Sequence, residues 1–272
     1  AVNKKLKDYV IKNIQDEQSP ESISGRIRNV ERNIQHVSTK GIYKFIYSPH
    51  GRQIERCLYS KSVRKKGGPK RKQNRILTDG RITIDQRPKS VENRIEFGHF
   101  EGDFIESGRD GKGSLLVLVE RKTRYPFIVY TENKTTNNIN NLIMDTLVNI
   151  PIKSITLDND LSFQKHKELS ELLNSIVFFC HKYCSYEKGT VENRNKAIRR
   201  YIPKKSNLSL ISDLFIKKVE NKLRNKYMKC LDFKTPQETW NEEMNKIETK
   251  KTTVGGIIKS DKLLVRSGEL QG

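Results

Sequence analysis

Apolar residues recur at helical spacing through the first 47 positions, and from Phe97 the pattern changes to that of strands. Between Lys4 and Glu17, Leu6, Val10, Ile11 and Ile14 predict one helix. Ser19-Pro20-Glu21 then supplies a capping residue and a first-turn proline, and Ile23 and Ile27 give a short second helix its inward face. Ser38 caps a third, with Ile42, Phe45 and Ile46 on its apolar side. Three helices, the second short and the third polar at its start, read as a helix-turn-helix. Thr39, Lys40, Tyr43 and Lys44 are its candidate groove-facing side chains. A small bundle that binds nothing has the same pattern, so the choice rests on charge.

Residues 97–106 alternate, residues 114–120 (SLLVLVE) form a continuous apolar run and residues 126–131 (PFIVYT) form a third strand, with short turns between them. A helix follows over 136–149, a strand over 154–159, a helix over 165–173 and a strand over 175–180. Long helices begin near Thr190 and Leu210. Three antiparallel strands followed by alternating helices and strands predict an α/β fold, a mixed five-stranded sheet with helices on its faces in the ribonuclease H-like order. The expected organisation is a helix-turn-helix domain over 1–48, a basic linker over 49–93, a catalytic core over 94–245 and a tail of unassigned role over 246–272.

Charge sharpens this picture. Fifty-three Lys and Arg against 32 Asp and Glu give a net charge of +21. Such an excess points to polyanions, nucleic acid before an anionic membrane surface. Residues 61–75 (KSVRKKGGPKRKQNR) hold eight basic side chains and no acidic one. This arm is a candidate phosphate-tracking segment, with Lys65, Lys66, Lys70 and Arg71 as its contacts. No apolar run reaches the roughly 18 residues of a membrane span, and residues 1–9 lack a secretory core. The expected location is cytoplasmic, at the nucleoid. The sequence starts at Ala1 without Met, so a longer parent chain is expected. Cys180 and Cys184 flank His181, but no second pair completes a zinc site, and buried or loop cysteine is the favoured reading.

Three carboxylates fall where such a sheet would gather them: Asp103 in the first strand, Asp158 at the end of the fourth, and Glu192 in the first turn of the following helix. Clustered carboxylates repel unless a cation fills the site. Mg2+ or Mn2+ takes oxygen ligands, and a pair of ions held this way serves phosphodiester chemistry. Lys188, Arg199 and Arg200 lie four, seven and eight positions from Glu192, on or near one helical face, and are candidates for holding a DNA backbone.

The string Gly98-His99-Phe100-Glu101-Gly102-Asp103 resembles the Gly-His-Trp-Glu-Gly-Asp motif of the insertion-sequence "thirty" family of DDE transposases. Val119 to Tyr125 (VERKTRY) resembles that family's next signature, and Leu157-Asp158-Asn159-Asp160 stands where it has Trp-Asp-Asn-Gly. Phe179 to Cys184 and Lys188 to Asn193 (KGTVEN) match the stretch that ends in its catalytic Glu, and 33 residues separate Asp158 from Glu192, the spacing typical of that family. Ile202-Pro203-Lys204 and Lys234 to Glu238 match later motifs, and residues 19–47 resemble the family's second helix-turn-helix. The resemblance spans residues 20–240 and implies an integrase-like catalytic core with Asp103, Asp158 and Glu192 as its triad and Arg199 at a DNA-contacting place. It also implies two divalent ions, double-stranded DNA (terminal inverted repeats and a target) as partner, and a homo-oligomer. The chain departs from the pattern at Phe100, which should alter packing, and at Asp160, expected to face solvent. It lacks the family's first helix-turn-helix. The function implied is metal-dependent cleavage at element ends and strand transfer. The alternatives are a truncated, inactive copy that represses terminal repeats by binding them, and a stand-alone ribonuclease H-like nuclease.

Overall fold

The computed structural model describes residues 3–58, 80–181 and 185–249. Three helices open the chain: α1 (Lys4–Gln15), α2 (Pro20–Asn29) and α3 (Thr39–Ile46). Asn3, Ser19 and Ser38 cap them, each side-chain oxygen accepting from a first-turn N–H. Val10, Ile14, Ile23, Ile27, Ile42 and Ile46 bury together with Ile54 as one small core. These are the aliphatic positions that the helical spacing selects.

The sheet contains β1 (Ile82–Thr83), β2 (His99–Glu106), β3 (Ser114–Glu120), β4 (Pro126–Thr131), β5 (Ser154–Leu157) and β6 (Ile176–Phe179). Its order is β1-β6-β5-β2-β3-β4. The pairs β2–β3 and β3–β4 are antiparallel, whereas β2–β5, β5–β6 and β1–β6 are parallel. This is the ribonuclease H-like order expected from the sequence, with a sixth strand at one edge. The extra strand is two residues long and too short to leave a periodic signal. It lies in the stretch read as linker, as does the short helix α4 (Lys89–Glu92).

Two apolar layers follow from the alternation of side chains along each strand. Phe100, Leu116, Leu118, Ile155 and Leu157 face α5 (Thr136–Thr146) and α6 (His166–Leu173). Ile105, Leu115, Val117, Val119 and Ile128 face α7 (Gly189–Ile198) and α8 (Asp213–Arg224). β3, covered on both faces, is buried at every residue. A last helix, α9, spans 236–249.

The helical unit is tied to the core by part-buried polar contacts. Arg26 Nη1 and Nη2 each donate to a Glu238 oxygen at 2.6 Å. Gln18 donates to Asn225 O and accepts from Tyr227 N. Gly25 lets the Phe233 ring approach, since a Cβ there would lie 2.3 Å from ring carbons.

Candidate functional site

Asp103 and Asp158 come together through strand register. Glu101 pairs with Thr156 across the parallel β2–β5 ladder, and each aspartate lies two residues further along its own chain. Close packing of the two strands depends on Gly102, where a Cβ would meet Leu157 Cδ2 at 2.6 Å. Between the carboxylates stands Lys188. Its Nζ donates to Asp103 Oδ1 at 2.9 Å and to Gly102 O at 3.3 Å, and lies 3.4 Å from Asp158 Oδ2. Burial pushes the Asp103 carboxyl up, and Asp158 adds to the rise against the pull of Lys188. Burial alone would lower Lys188, yet the charges of Asp158 and Asp103 outweigh it and hold its ammonium above the usual value.

Helix α7 is positioned by a second carboxylate of β2. Glu101 is fully buried. Its Oε2 accepts from Thr190 N and Val191 N, both at 2.9 Å, so it caps the helix and complements its positive end. Its other oxygen binds the guanidinium of Arg121. Arg124 donates to Arg121 O and Thr190 Oγ1, and Glu120 accepts from Gly98 N, Thr123 N and Thr123 Oγ1. So fixed, α7 aims Asn195 at the aspartates: its Nδ2 donates to Asp103 Oδ2 at 2.7 Å. Its buried Oδ1 has no hydrogen-bond partner among the described residues.

The structure therefore joins two of the three expected carboxylates. Glu192 lies on the same helix, one turn before Asn195, but binds Lys196 at 3.2 Å. Among the described residues no three His, Cys, Asp or Glu side chains cluster tightly enough to hold a metal ion.

Other expected residues separate into several groups. On α3, Lys40, Tyr43 and Lys44 are exposed and Thr39 is half-buried, opposite buried Ile42 and Ile46. Lys188 departs from expectation. It is 5% exposed and committed to the aspartates, so it presents no surface to DNA in this arrangement. The reason is its place before α7 rather than on the helix's outer face. Arg199 is the C-cap of α7 and donates to Glu106 O and Pro203 O, and Arg200 follows it, exposed. Asp160 does not simply face solvent: it pairs with Lys134 and accepts from Ser162 N. Cys180 is buried, its thiol pushed up to about 12 by burial. His181 bonds Asp85 and Glu187. Cys184 and the arm residues Lys65, Lys66, Lys70 and Arg71 lie outside the described residues.

Glu101 and Asn195 escaped the sequence reading, although a signal for each existed. Glu101 shares the strand face of Asp103, and Asn195 shares the helix face of Glu192. Among the described residues no helix is long and apolar enough to cross a membrane.

No family model matches the chain. The transposase for insertion sequence element IS4351 of Bacteroides fragilis is 33% identical to it over 244 residues, 88% of this chain and 74% of that protein. Transposase InsI for insertion sequence element IS30A of Escherichia coli (strain K12) is 31% identical over 248 residues, 87% of this chain and 64% of that protein. The chain thus spans about two thirds to three quarters of these relatives. The catalytic core domain of BIV integrase is 14% identical, with a TM-score of 0.44 over 56% of this chain and 98% of that one.

Proposed function

The chain belongs to the IS30 family of insertion-sequence transposases, and from that membership we propose that it cuts and joins DNA at Asp103, Asp158 and Glu192. One observation carries the assignment: two carboxylates from separate strands meet on one cationic atom, Lys188 Nζ, at 2.9 and 3.4 Å.

The surroundings suit a hard divalent cation. The converging donors are oxygens, as Mg2+ and Mn2+ prefer. The orphaned, buried Oδ1 of Asn195 adds an oxygen beside Asp103. Asp103, Asp158 and Glu192 would hold the ions. Bound there, the ions supply activation of water and stabilisation of the departing oxygen. The chain's own part is geometric. β2 and β5 set the spacing of the aspartates, Glu101 fixes α7, and Asn195 orients Asp103. Glu192 joins the pair by turning away from Lys196.

The reaction is hydrolysis of a phosphodiester at the element's end, freeing a 3′-hydroxyl that then attacks a target phosphodiester, with no covalent protein–DNA bond. The exposed face of α3 (Lys40, Tyr43 and Lys44) is the reader of the terminal repeat, as expected for a helix-turn-helix at the nucleoid. The 61–75 arm and Arg199 and Arg200 serve the phosphate backbone. Joining two ends requires a homo-oligomer on DNA.

Purified chain should cleave and join a matching terminal repeat in Mg2+, and Asp158→Asn should reduce both reactions to background. Full activity of the variant would sink the triad. A reading as a DNA-binding repressor finds its support in the closure of the aspartates on Lys188. Repeat binding without cleavage by the unaltered chain would favour it.

A further inference from the structure

An ammonium is seldom buried, because leaving water is costly unless every donor finds an acceptor. Lys188 is compensated by charge as well as by hydrogen bonds: its Nζ donates to Asp103 Oδ1 and Gly102 O and pairs with the Asp158 carboxylate at 3.4 Å, and only 5% of the residue is exposed. A ring of oxygens carrying excess negative charge is also what a hard divalent ion seeks. One space cannot hold both cations.

From this geometry we propose that Lys188 is the resident cation of the carboxylate pair, filling the ion-free site, and that a divalent ion enters by displacing it. The proposal rests on the reading of Asp103 and Asp158 as ion ligands. The local backbone suits such an exchange. Lys188 ends a 3-10 turn (Ser185–Lys188) and precedes α7, so its side chain can leave without breaking that helix. Gly189 beside it has open space where a Cβ would stand. The helix itself is held one residue further on, where Thr190 N and Val191 N bind Glu101. The lysine can therefore move while the backbone of α7 keeps its place. Two consequences follow. The core folds without its ions, since the lysine relieves the repulsion between the aspartates. Ion affinity in the absence of DNA is weaker than a bare carboxylate pair would give.

The test is a Mn2+ titration of the full chain, followed by electron paramagnetic resonance without DNA. Lys188→Gln should bind Mn2+ at least about tenfold tighter than the unaltered chain, a ratio worth about 1.4 kcal/mol. Asp158→Asn should abolish binding in either background. Equal or weaker binding by Lys188→Gln, with Asp158→Asn still abolishing it, overturns the lysine's role and leaves the ion site standing. Binding indifferent to Asp158, or absent from both chains, overturns both readings. A second measurement needs no variant at position 188. Acetic anhydride labelling of Lys188, read by mass spectrometry, should be slow without ion and at least about tenfold faster at saturating Mn2+, as a buried amine becomes exposed. A labelling rate unmoved by Mn2+ overturns the proposal.

Discussion

Glu101→Gln isolates the contact that holds α7 against the sheet. The glutamate is fully buried and accepts from Arg121, Thr190 N and Val191 N. Glutamine keeps the volume but replaces one oxygen with an NH2 group. That amide must face either the guanidinium or two backbone N–H groups, donor against donor in both cases. Arg121, 3% exposed, also loses its counter-charge and retains Val91 O as acceptor. Burial already pulls its guanidinium down to about 10, opposed by Glu101 and assisted by Arg87, Arg94 and Arg124. Removing one member of a buried pair costs roughly 3–5 kcal/mol, a large share of the roughly 5–15 kcal/mol that holds a domain folded. Urea unfolding should therefore show the midpoint falling by about 1–2.5 M at an m value of about 2–3 kcal/mol/M. Adding Arg121→Met should recover stability, giving a coupling of about 1 kcal/mol or more. A single-variant cost below about 1 kcal/mol, or an additive double variant, would refute the clamp.

Two further outcomes follow from other contacts. Burial alone would raise Glu238, but hydrogen bonds from Arg26 and Thr235 hold its carboxyl below the ordinary value of 4.5. A carboxyl depressed on folding stabilises the folded state above its unfolded pKa and loses that contribution as pH falls through the folded value. The stability difference between the unaltered chain and Glu238→Gln should thus be full at pH 6 and shrink below about pH 4.5. Thermal unfolding that shows a constant difference down to pH 3 contradicts this. On α3, Lys40→Ala should weaken binding to repeat DNA and reduce the salt slope by about one. A fluorescence-anisotropy titration with an unchanged slope removes Lys40 from the DNA contacts.

Much of the fold was legible because its signals are periodic. The run at 114–120 named an interior strand, β3, which is buried at all seven positions. The alternation through 97–106 put Asp103 on the same face as Ile105, and the apolar spacing of 39–46 separated Lys40 and Tyr43 from Ile42 and Ile46. What escaped was not periodic. β1 is two residues long. The burial of Lys188 depends on two aspartates 85 and 30 positions upstream, a relation that no local spacing encodes. Lysine reads as a surface residue until its partners are known, which explains why Lys188 was expected to meet DNA. Asp160 is half-exposed, and its pairing was hidden for the same reason, since its partner Lys134 is 26 positions away.

The motifs that stand apart in sequence form one electrostatic unit in space. Glu101 of the first motif is tolerable at zero exposure because Arg121 of the second neutralises it and the third motif's helix supplies two N–H donors. Arg124 links the second motif to the third at Thr190. Glu120 closes the turn between β3 and β4 and accepts from Gly98 N at the head of the first motif. None of these side chains touches Asp158; Lys188 of the third motif reaches both carboxylates, and Asn195, two residues past that motif, reaches Asp103. The buried network and the carboxylate pair are thus adjacent layers of one arrangement. The network fixes where α7 begins, and that start determines which of its faces looks at Asp103. A one-residue shift in the capping of α7 would turn the helix by about 100°. Asn195 would then leave Asp103, though it does not contact Glu101. The direction in which α7 presents Asn195 and Glu192 is accordingly set by Glu101, through its hold on Thr190 N and Val191 N.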